Sequence, residues 1–172
     1  HLNLKKKYKN LLTIIIPRHI HRVNKIFQEI NDLKLNVVLH SSGPKKLKNA
    51  DIYLVDTYGE TKKFYDCSDV VFMGKSLAGK GGQNPLEPAR SGAAVLHGPN
   101  IDNFSDIYRL LEKLKITYKV NGETSLRNLV NKLIIKPNSK KNYLKIEKIG
   151  KKILNETKDE INSLLNNEIK KT

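Results

Sequence analysis

The chain has 172 residues, 38% hydrophobic and 28% charged, which is enough apolar material for one domain with a core and too much for a disordered segment. Lysine and arginine outnumber aspartate and glutamate 32 to 17, and the net charge of +15 points to a phosphorylated substrate, an anionic membrane surface or nucleic acid as partner. No apolar run approaches the roughly 18 residues of a membrane span, and a single cysteine, Cys67, excludes an internal disulfide.

The chain opens on His1 with no initiating Met and no signal peptide, and so reads as a piece of a longer protein. Cys67 lies beside Asp66 and Asp69, whose charges oppose a thiolate; it reads as a passive, half-buried residue in a reducing cytoplasm. The lysine-rich stretches 5–9, 45–48 and 136–152 carry no interleaved aromatic pattern, only single tyrosines such as Tyr8 and Tyr143. The joint richness in Lys, Asn and Ile is what AT-rich coding produces. These stretches read as solvated surface first, as attraction to an anionic membrane next, and as sequence-specific nucleic-acid contacts last.

In chain order, residues 11–16 form a short β-rich run ended by Pro17, hence a buried strand. Over 21–34, Val23, Ile26, Phe27, Ile30 and Leu33 repeat at helical spacing. A second strand is predicted over 36–40, a polar loop over 41–48, a third strand over 52–55, a short helix over 61–67 and a fourth strand over 69–73. A glycine-rich turn and a helix over 84–91 follow, then a strand over 93–96 and a helix over 103–114 built on Phe104, Ile107, Leu110, Leu111 and Leu114. A last strand is predicted over 116–120, with helices over 123–135 and 141–169. Residues 1–135 read as the nucleotide-binding domain. Residues 136–172 read as a basic helical segment, packed on that domain or on a part of the protein outside this chain.

Strands alternating with helices imply an open parallel sheet with helices on both faces, and such sheets bind ligands beyond the carboxyl ends of their strands. Pro17 and Arg18 follow the first strand there, Tyr58, Gly59 and Glu60 the third, the glycine turn the fourth, and His97 to Asn100 the fifth. The glycine turn is the most informative stretch. Gly79, Gly81 and Gly82 let the backbone approach a ligand; then Asn84 fits a helix N-cap, Pro85 the first helical position, and Glu87 lies three residues past the cap. Free N–H groups at such a helix start hold an anion, so the segment reads as a nucleotide or sugar-nucleotide site. Glu87 could equally close a capping box with Asn84. Gly74-Lys75-Ser76 is no P-loop, because the required glycine five residues earlier is Asp69. No G-x-G-x-x-G dinucleotide fingerprint occurs.

Pro17-Arg18-His19 with Arg22, Asp56 to Glu60, Gly81-Gly82-Gln83-Asn84-Pro85-Leu86-Glu87-Pro88-Ala89, and Gly98-Pro99 with Asn103-Phe104 occur in this order. Together they resemble the C-terminal half of the 3-deoxy-D-manno-octulosonic acid (Kdo) transferases, the lipid A glycosyltransferases. The resemblance implies a GT-B fold, with this chain as the Rossmann-like C-terminal half that binds the donor CMP-Kdo. It implies that Pro17 and Arg18 contact CMP, with Arg18 near the phosphate or base, where a guanidinium suits phosphate geometry. It implies that Tyr58, Gly59 and Glu60 line the nucleotide pocket, partly through backbone. Asn84, Pro85, Leu86 and Glu87 would form the other CMP contact, with Glu87 on the ribose hydroxyls. Gly81, Gly82, Gln83 and His19 would support them.

The resemblance further implies no catalytic residue in this chain, because the family's base is a glutamate of the N-terminal half, beside the acceptor. It implies no metal and no cofactor; His19, His21, His40 and His97 form no ligand pattern. The implied partners are CMP-Kdo, a lipid A precursor (lipid IVA) held by the N-terminal half, and an anionic membrane surface, with no nucleic acid. The implied location is the cytoplasmic face of the bacterial inner membrane. One departure stands out: the family often has His at the position of Gln83, whose amide can replace a neutral imidazole but not a proton shuttle. Rival readings are another GT-B transferase or epimerase using a UDP-sugar, a non-catalytic basic binding module, and an inactive split gene product.

Overall fold

The structure is a computed structural model, which describes residues 1–43, 47, 49–135 and 141–169. Among the described residues there are six short strands: β1 (Thr13–Ile15), β2 (Val37–Leu39), β3 (Ile52–Leu54), β4 (Val70–Phe72), β5 (Ala94–His97) and β6 (Thr117–Lys119). They alternate with helices α1 (Leu2–Lys7), α2 (Val23–Asp32), α3 (Thr61–Asp66), α4 (Leu86–Arg90), α5 (Ser105–Lys113), α6 (Glu123–Ile135) and α7 (Lys141–Ile169). The α/β architecture expected from the alternation is present, and every strand pairing is parallel.

One feature differs from expectation. Instead of a single sheet, the strands form two three-stranded sheets, ordered β1-β3-β2 and β4-β5-β6. β3 carries the first, pairing Ile52 with both Thr13 and Val37; β5 carries the second, pairing Val95 with both Val71 and Thr117. The alternation of strand and helix dictates direction and layering, but not which strands become neighbours. The two central strands are buried throughout, which is why Ile52-Tyr53-Leu54 and Ala94-Val95-Leu96 read as continuous apolar runs.

Each sheet is covered on both faces. Val23 and Ile30 of α2 pack on Ile52 and Leu54, while Phe64 of α3 reaches the opposite face beside Tyr53 and Val55. In the second sheet, Ala89 of α4 and Leu111 of α5 pack on Met73, Val95 and Ile116, with Ile146 of α7 against them. Leu133 of α6 packs on Ala94, Leu96 and Val120 from the other side. A buried leucine such as Leu111 carries about 2–5 kcal/mol of this packing.

Helices α2 and α5 end alike. Leu35 N–H bonds Ile30 C=O and Ile116 N–H bonds Leu111 C=O, each spanning a left-handed lysine, Lys34 (φ 57°) or Lys115 (φ 58°). A cation at a helix carboxyl end also opposes the helix dipole favourably. Helix α1, which overlaps the stretch read as a basic run, is unexpected. It is tied down by Tyr8 Oη and Lys7 Nζ, which donate to Asn131 Oδ1 at 2.7 and 2.9 Å, and by the Lys5–Asp51 pair at 3.0 Å. Cys67 is exposed rather than half-buried, its thiol donating only to Phe64 C=O. The lysine stretch 45–48 and the expected boundary near 136 fall largely outside the described residues.

Candidate nucleotide site

Because the strands of each sheet run parallel, the segments after β1, β3, β4 and β5 leave at carboxyl-terminal ends, as the sequence pattern requires. After β1, Pro17 is half-buried and Arg18 is exposed, with no hydrogen bond or ion pair among the described residues. His19 is exposed and lays its ring on His21, with centroids 5.4 Å apart. A guanidinium on a strand end with no carboxylate attached is available to a ligand.

After β3, Asp56 to Glu60 form a compact polar turn. Asp56 accepts the Ser41 backbone N–H at 2.9 Å and its hydroxyl at 2.5 Å. Burial pushes the Asp56 carboxyl up, but these bonds outweigh it and hold the group below its ordinary value. Glu60 accepts Lys63 Nζ and the Thr57 hydroxyl, both at 2.8 Å, and faces His40 Nε2 at 2.7 Å; these three donors, Lys63 foremost, bring its carboxyl down to about 2. His40 Nδ1 meets the Tyr53 hydroxyl at 2.7 Å, so the imidazole bridges β3 to the turn. The side chain of Glu60 is therefore spent on shaping its own loop. What the turn offers outward is Tyr58, 72% exposed, and the backbone around Gly59 at φ 84°. His40 was undistinguished in the sequence, where nothing marks it as the partner of a residue twenty positions on.

After β4 the glycine turn departs from expectation in detail. The helix it feeds is only Leu86–Arg90, and its N-cap is Pro85 rather than Asn84. Asn84 Oδ1 accepts the Leu86 N–H at 3.0 Å, so the residue still caps the segment, as a turn two residues wide. Pro85 is buried and Leu86 packs on the core cluster around Ala89, which leaves their backbone and not their side chains to a ligand. Glu87 closes no capping box: it is exposed and its side chain forms no hydrogen bond among the described residues. Its charge is felt by Tyr65, whose hydroxyl is pushed up mainly by burial and then by Glu87.

Gly81 (φ 90°) and Gly82 (φ 66°) are needed for the chain's own packing. A Cβ on Gly81 would lie 2.6 Å from Asn103 Nδ2, and one on Gly82 2.9 Å from Asn100 C=O. Gln83 enters through its backbone, its C=O accepting the Tyr108 hydroxyl at 3.0 Å. Tyr108 is almost wholly buried, which pushes its hydroxyl up to about 12. Its ring rests on His97 with centroids 4.4 Å apart, and burial draws the His97 imidazole below its ordinary value. Ser76, fully buried, donates to Met73 C=O at 2.6 Å and accepts Gly98 N–H at 2.8 Å, pinning the turn after β4 to the turn after β5.

The structure thus ties the glycine turn to the 98–103 loop, and the Asp56 to Glu60 turn to His40. Ser91 Oγ donates to Asp66 at 2.6 Å, joining the ends of α4 and α3. Among the described residues no cluster of His, Cys, Asp and Glu could hold a metal, and no helix is long and apolar enough to cross a membrane.

Parallel sheets covered by helices, with polar turns at their carboxyl ends, define a Rossmann-like α/β domain, the fold expected of one half of a GT-B glycosyltransferase. No protein-family model matches the sequence. The chain is 32% identical over 166 residues to a 3-deoxy-D-manno-octulosonic acid transferase of Haemophilus influenzae, covering 96% of this chain and 38% of that protein. It is 30% identical over 160 residues to the transferase of the same name from Rickettsia bellii, covering 90% of this chain and again 38% of the relative. Its fold superposes with a TM-score of 0.72, at 26% identity, on the C-terminal CMP-Kdo binding domain of WaaA from Acinetobacter baumannii, covering 83% of this chain and 76% of that one. Over nearly its whole length the chain is similar to the 3-deoxy-D-manno-octulosonic acid transferases, as the resemblance of its motifs implied, and it spans well under half the length of the curated relatives it matches.

Proposed function

We propose that this chain binds CMP-Kdo and serves as the donor-holding half of a Kdo transferase. The observation that carries the reading is the likeness to a CMP-Kdo binding domain, together with two exposed charged side chains left unengaged, Arg18 after β1 and Glu87 in the first turn of α4. Arg18 takes the phosphate or base of CMP, and Glu87 takes the ribose hydroxyls. The Tyr58-Gly59 turn and the backbone of Asn84, Pro85 and Leu86 line the nucleotide. Glu60 acts as the brace of the first turn, and Gly81, Gly82 and Gln83 as the frame of the second.

In the reaction so read, an acceptor hydroxyl attacks the anomeric carbon of Kdo, and CMP departs with the bonding electron pair on its phosphate oxygen. Cations and N–H donors fixed around that phosphate stabilise the departing charge. The proton of the attacking hydroxyl goes to a base outside this chain. The acceptor is a lipid A precursor, and the enzyme works on the cytoplasmic face of the inner membrane, where the charge of +15 favours an anionic surface. Residues 1–135 carry the nucleotide site, and the basic segment beyond it, of which α7 (Lys141–Ile169) is described, packs on this domain or on a part of the protein outside this chain.

Calorimetric titration with CMP, UMP and UDP at two salt concentrations tests the reading. Selective CMP binding that weakens in Arg18→Ala and Glu87→Ala is expected. Equal affinity for UDP, or binding with a steep salt dependence and no base preference, would sink it.

A further inference from the structure

We propose that Lys75 is an anion-binding residue of this site, its ammonium meeting the phosphate of the nucleotide or the carboxylate of the acid sugar; this rests on reading the site as one for a CMP-activated sugar acid.

Lys75 has φ 69°, in the left-handed region that side chains rarely occupy. Among the described residues three other non-glycine residues share that region. Lys34 and Lys115 close α2 and α5, where the position favours such a conformation and the helix end favours a cation. Asn49 has the short polar side chain that tolerates it. Lys75 closes no helix. It stands between β4 and the glycine turn, where neither account applies.

The neighbours hold it there. Ser76 is fixed through its hydroxyl to Met73 and Gly98, its C=O accepts Asn100 N–H at 3.0 Å, and Lys75 C=O accepts Ala78 N–H at 3.2 Å. The side chain then runs over Gly79, where a Cβ would lie 2.5 Å from Lys75 Cγ and 3.0 Å from Cε. The bare glycine is what lets the stem lie against the turn. Residue 75 is exposed, has no ion pair among the described residues, and belongs to a segment, 74–83, with Lys75 and Lys80 and no acid. A strained backbone that aims an uncompensated cation along the loop framing the ligand is the arrangement expected where function, not stability, selects the residue.

Strain and charge can be separated. Lys75→Gly removes both; Lys75→Met keeps the strain and removes the charge. Binding of CMP, cytidine and free 3-deoxy-octulosonic acid is measured by calorimetry, and thermal midpoints by circular dichroism. Lys75→Gly is expected to raise the midpoint by about 2–4 °C and to weaken CMP by about tenfold, with cytidine unchanged. Lys75→Met is expected to show the same loss of affinity without the gain in midpoint. A loss confined to the octulosonic acid assigns the contact to the carboxylate instead of the phosphate. Unchanged affinity for both anions in Lys75→Gly, or an equal loss for cytidine, overturns the inference while CMP binding by the parent chain still stands. A parent chain that binds neither anion overturns the inference and the donor reading together.

Discussion

His40 and Glu60 meet at 2.7 Å, Nε2 to Oε2, and through this one contact the end of β2 supports the turn that follows β3. The imidazole is held from behind by the Tyr53 hydroxyl, at 2.7 Å, so its ring is fixed at both nitrogens. His40→Phe keeps the ring volume against Phe64 but loses both bonds. It should lower the unfolding free energy in urea by about 1–2 kcal/mol and speed amide exchange across residues 56–60. Exchange in that turn matching the parent chain would show that Thr57 and Lys63 hold Glu60 by themselves.

Glu60 also makes stability depend on acid. Its carboxyl titrates near 2 in the folded chain, below the ordinary value of 4.5. The folded state therefore binds fewer protons than the unfolded one, and the stability this group contributes is fully present above about pH 4.5 and lost as pH falls towards 2. Asp51, Asp56 and Asp66 are lowered too, and act in the same direction. Urea midpoints measured from pH 6 to pH 2 should fall in the parent chain. The fall should be shallower in Glu60→Gln, and parallel curves would remove Glu60 from the account.

Gly98 faces the backbone of Ser76 and Leu77 so closely that a Cβ would overlap Ser76 C=O. Neither side is a flexible side chain that could swing away. Gly98→Ala should cost about 1–3 kcal/mol and separate the turns after β4 and β5, which chemical denaturation would register. A neutral substitution would mean that the two turns slide independently.

Glu87 should behave in the opposite way. With an exposed side chain and no side-chain hydrogen bond among the described residues, Glu87→Ala should leave stability within about 0.5 kcal/mol of the parent chain. Its CMP affinity should nevertheless fall. A destabilised variant would show that the residue supports α4 instead of a ligand.

The layering of this fold was legible because each βα unit announces itself in the residues. Val23, Ile26, Phe27 and Ile30 give the helical stripe that buries on Ile52 and Leu54, and the uninterrupted apolar run of β5 marks a strand covered on both faces. Strand neighbours were not legible, since β1 meets β3 by a long-range pairing that no local pattern encodes. At the candidate site, motif order singles out Arg18, Tyr58 and Glu87, and all three are exposed. The side-chain bonds of Glu60 were not legible, because its three partners include a histidine just past the end of another strand. Asn84 keeps the capping bond its residue type suggests, although the helix itself begins only at Leu86. Lys75 was passed over as the middle of a failed P-loop; its backbone angle, which singles it out, cannot be read from residue types.

The two sheets leave β1, β2, β4 and β6 each paired on one side only. Open ranks of amides and carbonyls can recruit those of another molecule. At low ionic strength the charge of +15 keeps molecules apart, and salt shortens that repulsion to about 10 Å at 0.1 M. Colloidal behaviour should therefore be set by salt: clear solutions on heating in dilute buffer, and turbidity growing with ionic strength as strand edges come within reach. Light scattering followed through a thermal ramp at several salt concentrations would show it, and turbidity independent of salt would place the association elsewhere on the molecule.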